Sequence, residues 1–346
     1  MSWLNRSYQE SFVFILIVVF ITIVIGSFLI FEIKKAEIEI QEISLAQISE
    51  TSRFKAETYS ITLMFVGDIM LDRGVEYMIE KYGEGDYRFP FLKIADDLRK
   101  ADILFGNLES VISDKGKKVG SIYSFRADPK ALEGLIYAEF DVLSVANNHV
   151  FDYGRAAMED NFKRLKEAGI GFVGGGFSEK EAYSGVIKEI KGTRIAFLAY
   201  TNLGSPYWLA TKERSGIAWV DWINIEEIKK DIEETKKRAD IVIVSLHAGE
   251  EYSSEPNLFQ IEFSKACIDF GADLVIGHHP HVVQPIEKYK QGYIAYSLGN
   301  FVFDQGFSEE TMKGQLLEVL IKNGKIEEVI PKEVKINKFF QPEIVE

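Results

Sequence analysis

Cysteine is almost absent from this chain of 346 residues, in which Cys267 is the only one. An internal disulfide is therefore excluded, and so is a metal cluster held by thiolates. Disulfides are common but not required outside the cytoplasm, so their absence is compatible with either side of a membrane. Histidine and carboxylate side chains remain as ligands for ions such as Zn, Fe or Mn.

A block of basic residues is also missing. The 53 acidic residues outnumber the 40 lysines and arginines, which gives a formal net charge of −13. A protein that binds the nucleic-acid backbone needs a positive field, so we expect no nucleic-acid partner. An anionic substrate can still bind where metal ions supply the local positive charge.

Charged residues are absent from positions 11–31, which read SFVFILIVVFITIVIGSFLIF. A helix of this run is about as long as a hydrocarbon layer of ~30 Å. No small-residue cleavage site follows it, which argues against a cleaved signal peptide. We therefore predict a membrane anchor over 1–33, a polar stalk over 34–60 and a globular domain over 61–346. The few flanking charges leave the orientation open.

Beyond residue 60, short apolar runs alternate with amphipathic stretches, which predicts an α/β domain. The predicted strands are 61–67, 102–107, 140–147, 194–201, 240–247 and 273–278. The predicted helices are 91–100, 155–168, 225–238 and 257–270. Asn323–Gly324 predicts a tight hairpin. Gly174–Gly176 is followed by no Lys-Ser/Thr pair, so it predicts a turn rather than a phosphate loop.

Polar residues follow the predicted strands at the points where the strands end. In open α/β sheets, ligands bind outside the carboxyl ends of the strands. All five histidines of the chain are among these residues, and a structural role for every one of them is an unattractive explanation. The set therefore predicts one metal site. Its members are Asp68, Asn107, Glu109, Asn148, His149, His247, His278, His279 and His281.

Six sequence blocks resemble, in the same order, the CapA family of capsule and poly-γ-glutamate synthesis proteins, within the calcineurin-like metallophosphoesterase superfamily. The blocks are GDIMLDR (67–73), GNLES (106–110), ANNHVFDYG (146–154), HAGEEY (247–252), GHHPHVVQ (277–284) and YSLGNFVFD (296–304). The resemblance covers roughly residues 61–305. It implies a four-layer fold, in which a β-sandwich is flanked by helices, with two divalent metal ions at the strand ends and an N-terminal transmembrane helix before it.

The resemblance also implies the metal ligands. They are Asp68 and His281 for one ion, and Asn148, His247 and His279 for the other. Glu109 is expected to bridge the two ions, because Asn107 replaces the aspartate that the superfamily has at the bridging position. Met70 stands where the superfamily usually has a histidine. That change removes one ligand of the first ion, so either two ions or a single ion is expected.

Other residues acquire implied roles from the same blocks. His149 is expected to protonate the leaving oxygen, and Asp152 either orients this imidazole or forms a turn or helix cap before Gly154. Asn107 and His278 are expected behind the ligands or facing the substrate. The same placements are expected for Ser297 and Asn300, for which a strand-to-loop turn is the alternative.

Three functions stay open at this point. The first is hydrolysis of a phosphoester, in which two cations activate water and His149 assists departure of the leaving group. The second is a non-catalytic component that binds or guides an anionic polymer, such as poly-γ-glutamate, beside synthase subunits. The third is hydrolysis of an amide in such a polymer. The resemblance implies a single-pass membrane protein whose domain lies outside the cytoplasm.

Overall fold

The structure, a computed structural model, describes Gly26, Glu32, Lys34, Lys35, residues 61–119 and residues 121–345. The chain divides into two compact units, Met1–Thr58 and Tyr59–Glu346. The predicted anchor and stalk lie outside the described residues, apart from the four single positions. In the part of the chain that is described, no helix has the length and apolar character to cross a membrane.

Short strands make up most of the regular structure. In chain order they are β1 (Ile61–Ile69), β2 (Ile103–Leu108), β3 (Val111–Ile112), β4 (Arg126–Ala127), β5 (Val142–Ser144), β6 (Gly171–Val173), β7 (Gly175–Gly176), β8 (Val186–Ile190), β9 (Thr193–Thr201), β10 (Gly216–Ile217), β11 (Ile241–His247), β12 (Leu274–His278), β13 (Ile286–Tyr289), β14 (Gly292–Ala295), β15 (Asn300–Val302), β16 (Lys313–Lys322), β17 (Lys325–Ile336) and β18 (Pro342–Ile344).

Helices connect these strands. They are α1 (Arg73–Tyr82), α2 (Ala95–Leu98), α3 (Leu132–Tyr137), α4 (Gly154–Glu167), α5 (Glu179–Tyr183), α6 (Ile225–Lys236) and α7 (Leu258–Asp269), with 3₁₀ turns at Phe89–Phe91, Pro129–Ala131 and Pro206–Trp208. Helix α7 begins with a capping box, in which the Asn257 side chain accepts from the Gln260 amide and the Gln260 side chain accepts from the Asn257 amide. These two bonds satisfy amides that have no partner inside the helix.

Two sheets carry the fold. The first has the order β18-β17-β16-β1-β2-β5-β6, with β15 also paired to β1, and the second has the order β13-β14-β12-β11-β9-β8. Strands β1, β2, β5, β6 and β15 run parallel in the first sheet, as β9, β11, β12 and β14 do in the second. The carboxyl ends of the parallel strands in each sheet therefore lie at one edge of that sheet.

Apolar side chains fill three layers between and outside the sheets. Phe65 and Phe105 of the first sheet pack with Phe197 of the second in the inner layer. Helices α1 to α4 cover the outer face of the first sheet, and α6 and α7 cover that of the second. Burying each such side chain stabilises the fold by about 1.5–3 kcal/mol. The domain is an α/β fold, as predicted, with two stacked sheets between layers of helices.

Two predicted elements need correction. The predicted helix 91–100 is right only over Ala95–Leu98, because bonds such as Leu92 N to Phe89 O and Ile94 N to Phe91 O wind the preceding residues into 3₁₀ turns. The predicted turn at Gly174–Gly176 is also wrong in part. Gly175 and Gly176 form β7, which pairs with β10, and a Cβ on Gly175 would lie 2.5 Å from the Phe162 ring.

The predicted hairpin is confirmed. Strands β16 and β17 pair up to Lys322 and Lys325, so Asn323 and Gly324 form a two-residue turn between them. Both turn residues have left-handed backbones, with φ of 52° and 70°. An Asn-Gly pair suits this turn because both residues tolerate positive φ.

Candidate metal centre

Two glycines bring the strand ends of the two sheets together. Gly67 precedes Asp68 in β1, and a Cβ there would lie 2.0 Å from the Gly299 carbonyl oxygen. Gly277 precedes His278 in β12, and a Cβ there would lie 1.9 Å from the Tyr296 carbonyl oxygen. Because glycine has no Cβ, the chain can approach this closely. The backbone amide of His279 then donates to Asp68 Oδ2 at 3.1 Å, which joins the two edges.

The first group of possible ligands is Asp68, Glu109 and His281, whose ligand atoms lie within 4.8 Å of one another. All three are buried, and both carboxylates are fully inaccessible to solvent. This group contains the two residues that the sequence assigns to the first ion, with the expected bridging carboxylate beside them. Met70 is buried as well, and its sulfur accepts from the Asp72 amide at 3.1 Å.

The second group is Glu109, His247 and His279, again within 4.8 Å. Asn148 belongs beside them, since its Oδ1 lies 2.8 Å from His247 Nε2. Glu109 is thus common to both groups, where the sequence predicts a bridging ligand. Ligand atoms bound to one ion lie at most about 4.4 Å apart, so small movements would let either group hold a divalent ion.

The electrostatics of these groups suit a cation. Burial and the charge of Asp68 raise the pKa of Glu109 well above its ordinary value. Burial alone would also raise the pKa of Asp68, but its close contacts with the imidazoles of His278 and His281 hold that pKa well below the usual range. Burial and the charge of His279 keep the pKa of His247 far below normal. The imidazole of His247 is therefore neutral, and a neutral ring nitrogen can bind a metal ion.

Unpartnered buried atoms give an independent test of whether an ion fits. Both carboxylate oxygens of Glu109 and the Nδ1 of His279 are buried without a hydrogen-bond partner. A buried carboxylate without a partner is costly unless it is protonated or faces a cation. Burial, together with the charge of His281, lowers the pKa of His279 to about 3, so its ring does not supply that cation. Without an ion, the raised pKa of Glu109 favours its protonated form; a divalent ion would replace that proton, and the residues present fit such an ion.

His149 and Asp152 form a hydrogen-bonded pair beside these groups. The distance from His149 Nδ1 to Asp152 Oδ2 is 2.8 Å, and the same oxygen accepts from the Phe125 amide at 2.8 Å. The other ring nitrogen, Nε2, lies 3.2 Å from Asn148 Nδ2, on the side of the ligands. Helix α4 has Tyr153 at its N-cap and no side-chain cap. Asp152 therefore contacts the imidazole and does not cap the helix.

Asn107 and His278 lie behind the ligands. Asn107 Nδ2 donates to Asp68 Oδ1 at 2.8 Å and lies 3.2 Å from His247 Nδ1. His278 is fully buried, with Nδ1 3.3 Å from Asp68 Oδ1 and its ring near that of Phe105. Of the two placements expected for His278, the one that faces the substrate is wrong, because the side chain lies between Asp68 and the inner core.

Ser297 and Asn300 have different roles although they share one sequence block. Ser297 Oγ accepts from the Gly299 amide at 3.1 Å, which is the turn alternative. Asn300 Oδ1 instead lies 2.9 Å from His281 Nδ1. Its Nδ2 donates to the Thr311 carbonyl at 3.0 Å, so the amide is itself held in place. Asn300 therefore fixes the orientation of a possible ligand, His281.

Sequence reasoning missed two residues of the site. Glu251 lies on the loop after β11, with its carboxylate within 4.8 Å of the ligand atoms of His279 and His281. Asn147 Nδ2 donates to the Leu108 carbonyl at 2.8 Å, and its Oδ1 accepts from the His149 amide at 3.1 Å. Both residues are in the quoted blocks HAGEEY and ANNHVFDYG, whose match was the available signal.

Comparison with known proteins adds a family. Residues 62–305 match the family described as bacterial capsule synthesis protein PGA_cap. The chain is 37% identical over 281 residues to the capsule biosynthesis protein CapA of Bacillus anthracis, covering 80% of this chain and 68% of that protein. It is 35% identical over 276 residues to the PGA biosynthesis protein CapA of Bacillus subtilis (strain 168), covering 78% and 71%.

A solved structure shares the fold. A hypothetical protein from Thermus thermophilus superposes with a TM-score of 0.50 at 14% identity, over 80% of this chain and 99% of that chain. At so low an identity, the likeness concerns the arrangement of strands and helices and carries no information on activity.

Proposed function

The chain belongs to the family of bacterial capsule synthesis proteins PGA_cap, and we propose that it is a metal-dependent phosphoester hydrolase in the synthesis of a capsule or poly-γ-glutamate-type polymer. One observation carries the hydrolase part of the proposal. Glu109 is buried between two groups of histidine and carboxylate ligands, and neither of its oxygens has a hydrogen-bond partner. Such a carboxylate is stabilised by divalent cations on both sides.

The residues that would hold the ions divide into two sets around Glu109. Asp68 and His281 lie on one side, and His247 and His279, with Asn148, lie on the other. When bound, divalent ions such as Mn, Fe or Zn supply Lewis acidity and activate water for attack on the phosphorus. Imidazole and carboxylate ligands suit these metals. The polymer-synthesis part of the proposal rests on the family alone.

The chain itself supplies the proton for the leaving group. Asp152 Oδ2 accepts from His149 Nδ1, so Nε2 carries a second, transferable proton in the imidazolium form of the ring. The Phe125 ring packs on the imidazole at 4.0 Å between centroids and shields it from water. Because Nε2 lies beside Asn148, a leaving oxygen at the ligand groups would be within reach of this proton.

One observation favours a second candidate. Met70 places a buried thioether where the superfamily usually has a ligand, which leaves the first group of ligands one short. A weakened centre would suit a component that binds or guides an anionic polymer without hydrolysing it. An amide hydrolase that acts on the same polymer would use the centre as the phosphoesterase does, with a different substrate.

We place the protein in the cell membrane as a single-pass protein whose domain lies outside the cytoplasm, beside synthase subunits. The apolar run 11–31 supports the anchor. Protease added to intact cells should digest the domain, and a variant without residues 1–33 should need no detergent. Full protection of the domain from protease in intact cells would contradict this orientation and put the domain on the cytoplasmic side.

The experiment that tests the function is a metal and substrate screen. The full chain, purified in detergent and stripped with a chelator, should regain hydrolysis of aryl and alkyl phosphoesters when Mn, Fe or Zn is added. A variant with Asp68→Asn should lose this activity. Turnover of γ-glutamyl amides alone would identify the amide hydrolase. A metal-loaded chain that hydrolyses neither class would favour the binding component.

A further inference from the structure

The loop after β11 brings an additional carboxylate to the solvent side of the metal centre. The Glu251 carboxylate, His279 and His281 form a third group whose ligand atoms lie within 4.8 Å of one another. This group shares His281 with the first group and His279 with the second. Glu109 thus lies at the buried side of the centre, and Glu251 lies at its exposed side.

Backbone contacts hold this loop against the two histidines. The amide of Tyr252 donates to the carbonyl of Pro280, the residue between His279 and His281, at 2.8 Å. Tyr252 has a left-handed backbone with φ of 65°, and the two histidines have φ of 98° and 60°. Non-glycine residues adopt this conformation at a cost that the surrounding structure must offset. The position of Glu251 is therefore set by the fold of both loops.

Two further observations point to a cation at this group. His279 is 6% exposed, its Nδ1 has no hydrogen-bond partner, and one of its ring nitrogens lies within 4.8 Å of the other ligand atoms of the group. Within residues 61–119 and 121–345, no lysine or arginine forms an ion pair with Glu251. The carboxylate therefore has the rings of His279 and His281 and the Tyr252 side chain as neighbours, and in this part of the chain no lysine or arginine is its partner.

We propose that Glu251 is a further metal ligand, which binds an ion together with His279 and His281 on the solvent side of the centre. The inference rests on the metal centre of the proposed function. It gives the centre three carboxylates, from Asp68, Glu109 and Glu251. Oxygen-rich ligand sets favour Mn²⁺ and Mg²⁺ over softer ions, so Mn²⁺ is the suitable probe.

The test is a Mn²⁺ titration of the full chain in detergent, followed by calorimetry and by the electron paramagnetic resonance signal of free Mn²⁺. Glu251→Gln removes the charge and keeps the shape, and it should weaken Mn²⁺ binding by about 10-fold or more. Glu250→Gln is the matched control, because the neighbouring carboxylate is also exposed and belongs to no ligand group among the described residues. The control should bind Mn²⁺ within about twofold of the unmodified chain, which is no more than ordinary scatter.

The Mn²⁺ affinities separate this inference from the proposal that the protein is a hydrolase. If Glu251→Gln binds Mn²⁺ as tightly as the control does, the inference is overturned and the hydrolase is unaffected. If the variant loses affinity for Mn²⁺ but the unmodified chain hydrolyses no substrate, Glu251 remains a ligand and the proposed hydrolase function is contradicted. An unmodified chain that binds no Mn²⁺ overturns both.

Discussion

His149 and His279 lie in the same centre, but their ring nitrogens have different neighbours. His149 Nδ1 is bonded to Asp152, whereas His279 has an unpartnered Nδ1 and belongs to a ligand group. Substitution of a proton donor and substitution of a metal ligand have different effects. Loss of the donor lowers only the reaction rate, whereas loss of a ligand also weakens ion binding.

His149→Ala should therefore leave metal content and melting temperature nearly unchanged and lower turnover by about 10²–10⁴. His279→Ala should lower metal content together with the rate. An activated aryl ester needs little protonation, so the loss at His149 should be smaller for it than for an alkyl ester. Metal analysis and initial rates give both readouts. Loss of metal from the His149 variant would make this residue a ligand and contradict the assignment.

Asn300 provides a second residue-level prediction. Its Oδ1 is the partner of His281 Nδ1, so Asn300→Ala frees the imidazole to rotate away from Asp68 and Glu109. Residues that orient a ligand typically contribute about 10–100-fold to metal affinity. Titration with Mn²⁺ should show a loss of this size. Ser297→Ala is the control, because Ser297 bonds to the Gly299 amide and should leave the affinity unchanged.

Gly277 controls how closely β12 approaches the segment that follows β14. A Cβ at this position would lie 1.9 Å from a backbone oxygen, so a strand must move to accommodate it. Gly277→Ala should lower the free energy of unfolding by about 1–3 kcal/mol or more and displace His278 and His279. Gly306→Ala, whose Cβ would lie 3.8 Å from the Phe340 ring, is the control. Equal denaturation midpoints for the two variants would contradict the close approach.

Helix α6 carries a carboxylate that opposes folding at neutral pH. Burial, with the charges of Glu227 and Glu179, raises the pKa of Asp231 to about 6. In the unfolded chain the pKa is about 3.9, so the folded state holds the proton more tightly and loses stability as pH rises from about 4 to about 6. Asp231→Asn should be more stable than the unmodified chain above pH 6 and should show less of this decline. Denaturant midpoints between pH 4 and 7 check both, and parallel profiles would contradict the prediction.

Most strands and the hairpin could be predicted because their signals are local. Buried strands are apolar runs, and Asn323–Gly324 is a pair that a two-residue hairpin turn strongly favours. The extent of the helix within 91–100 could not be predicted, because apolar residues such as Phe91, Ile94 and Leu98 face the core equally well from 3₁₀ turns and from an α-helix. Periodicity alone does not distinguish the two.

The residues that come together in the candidate ligand groups could be selected from strand ends and from the family blocks, but their hydrogen-bond partners could not be predicted. The bond between His281 and Asn300, and the burial of His278 behind Asp68, depend on how two sheets meet. Nothing in the sequence distinguishes Glu251 from Glu250. Only the folded loop places one of them beside the histidines and leaves the other outside the ligand groups of the described residues.

The proposed metal centre predicts that divalent ions stabilise the domain as a whole. An ion that binds only the folded state raises the free energy of unfolding by about 2.7 kcal/mol when its concentration is 100 times its dissociation constant. The melting temperature of the chelator-stripped chain should therefore rise with added Mn, Zn or Fe. Asp68→Asn should reduce the rise. An unchanged melting temperature in all three metals would contradict the two-ion centre.

The pairing of β1 has a consequence for biosynthesis. This strand comes first in the domain, yet its neighbour β16 begins at Lys313, and Asp68 is paired with Asn300 of β15. A growing chain therefore exposes Asp68 long before the residues that enclose it exist. Products of incomplete translation that end before Asn300 lack β15 and β16, the strands that pair with β1 on the side of Asp68. The proposed metal centre can therefore close only after these carboxyl-terminal strands have paired with β1, in the compartment where that pairing takes place.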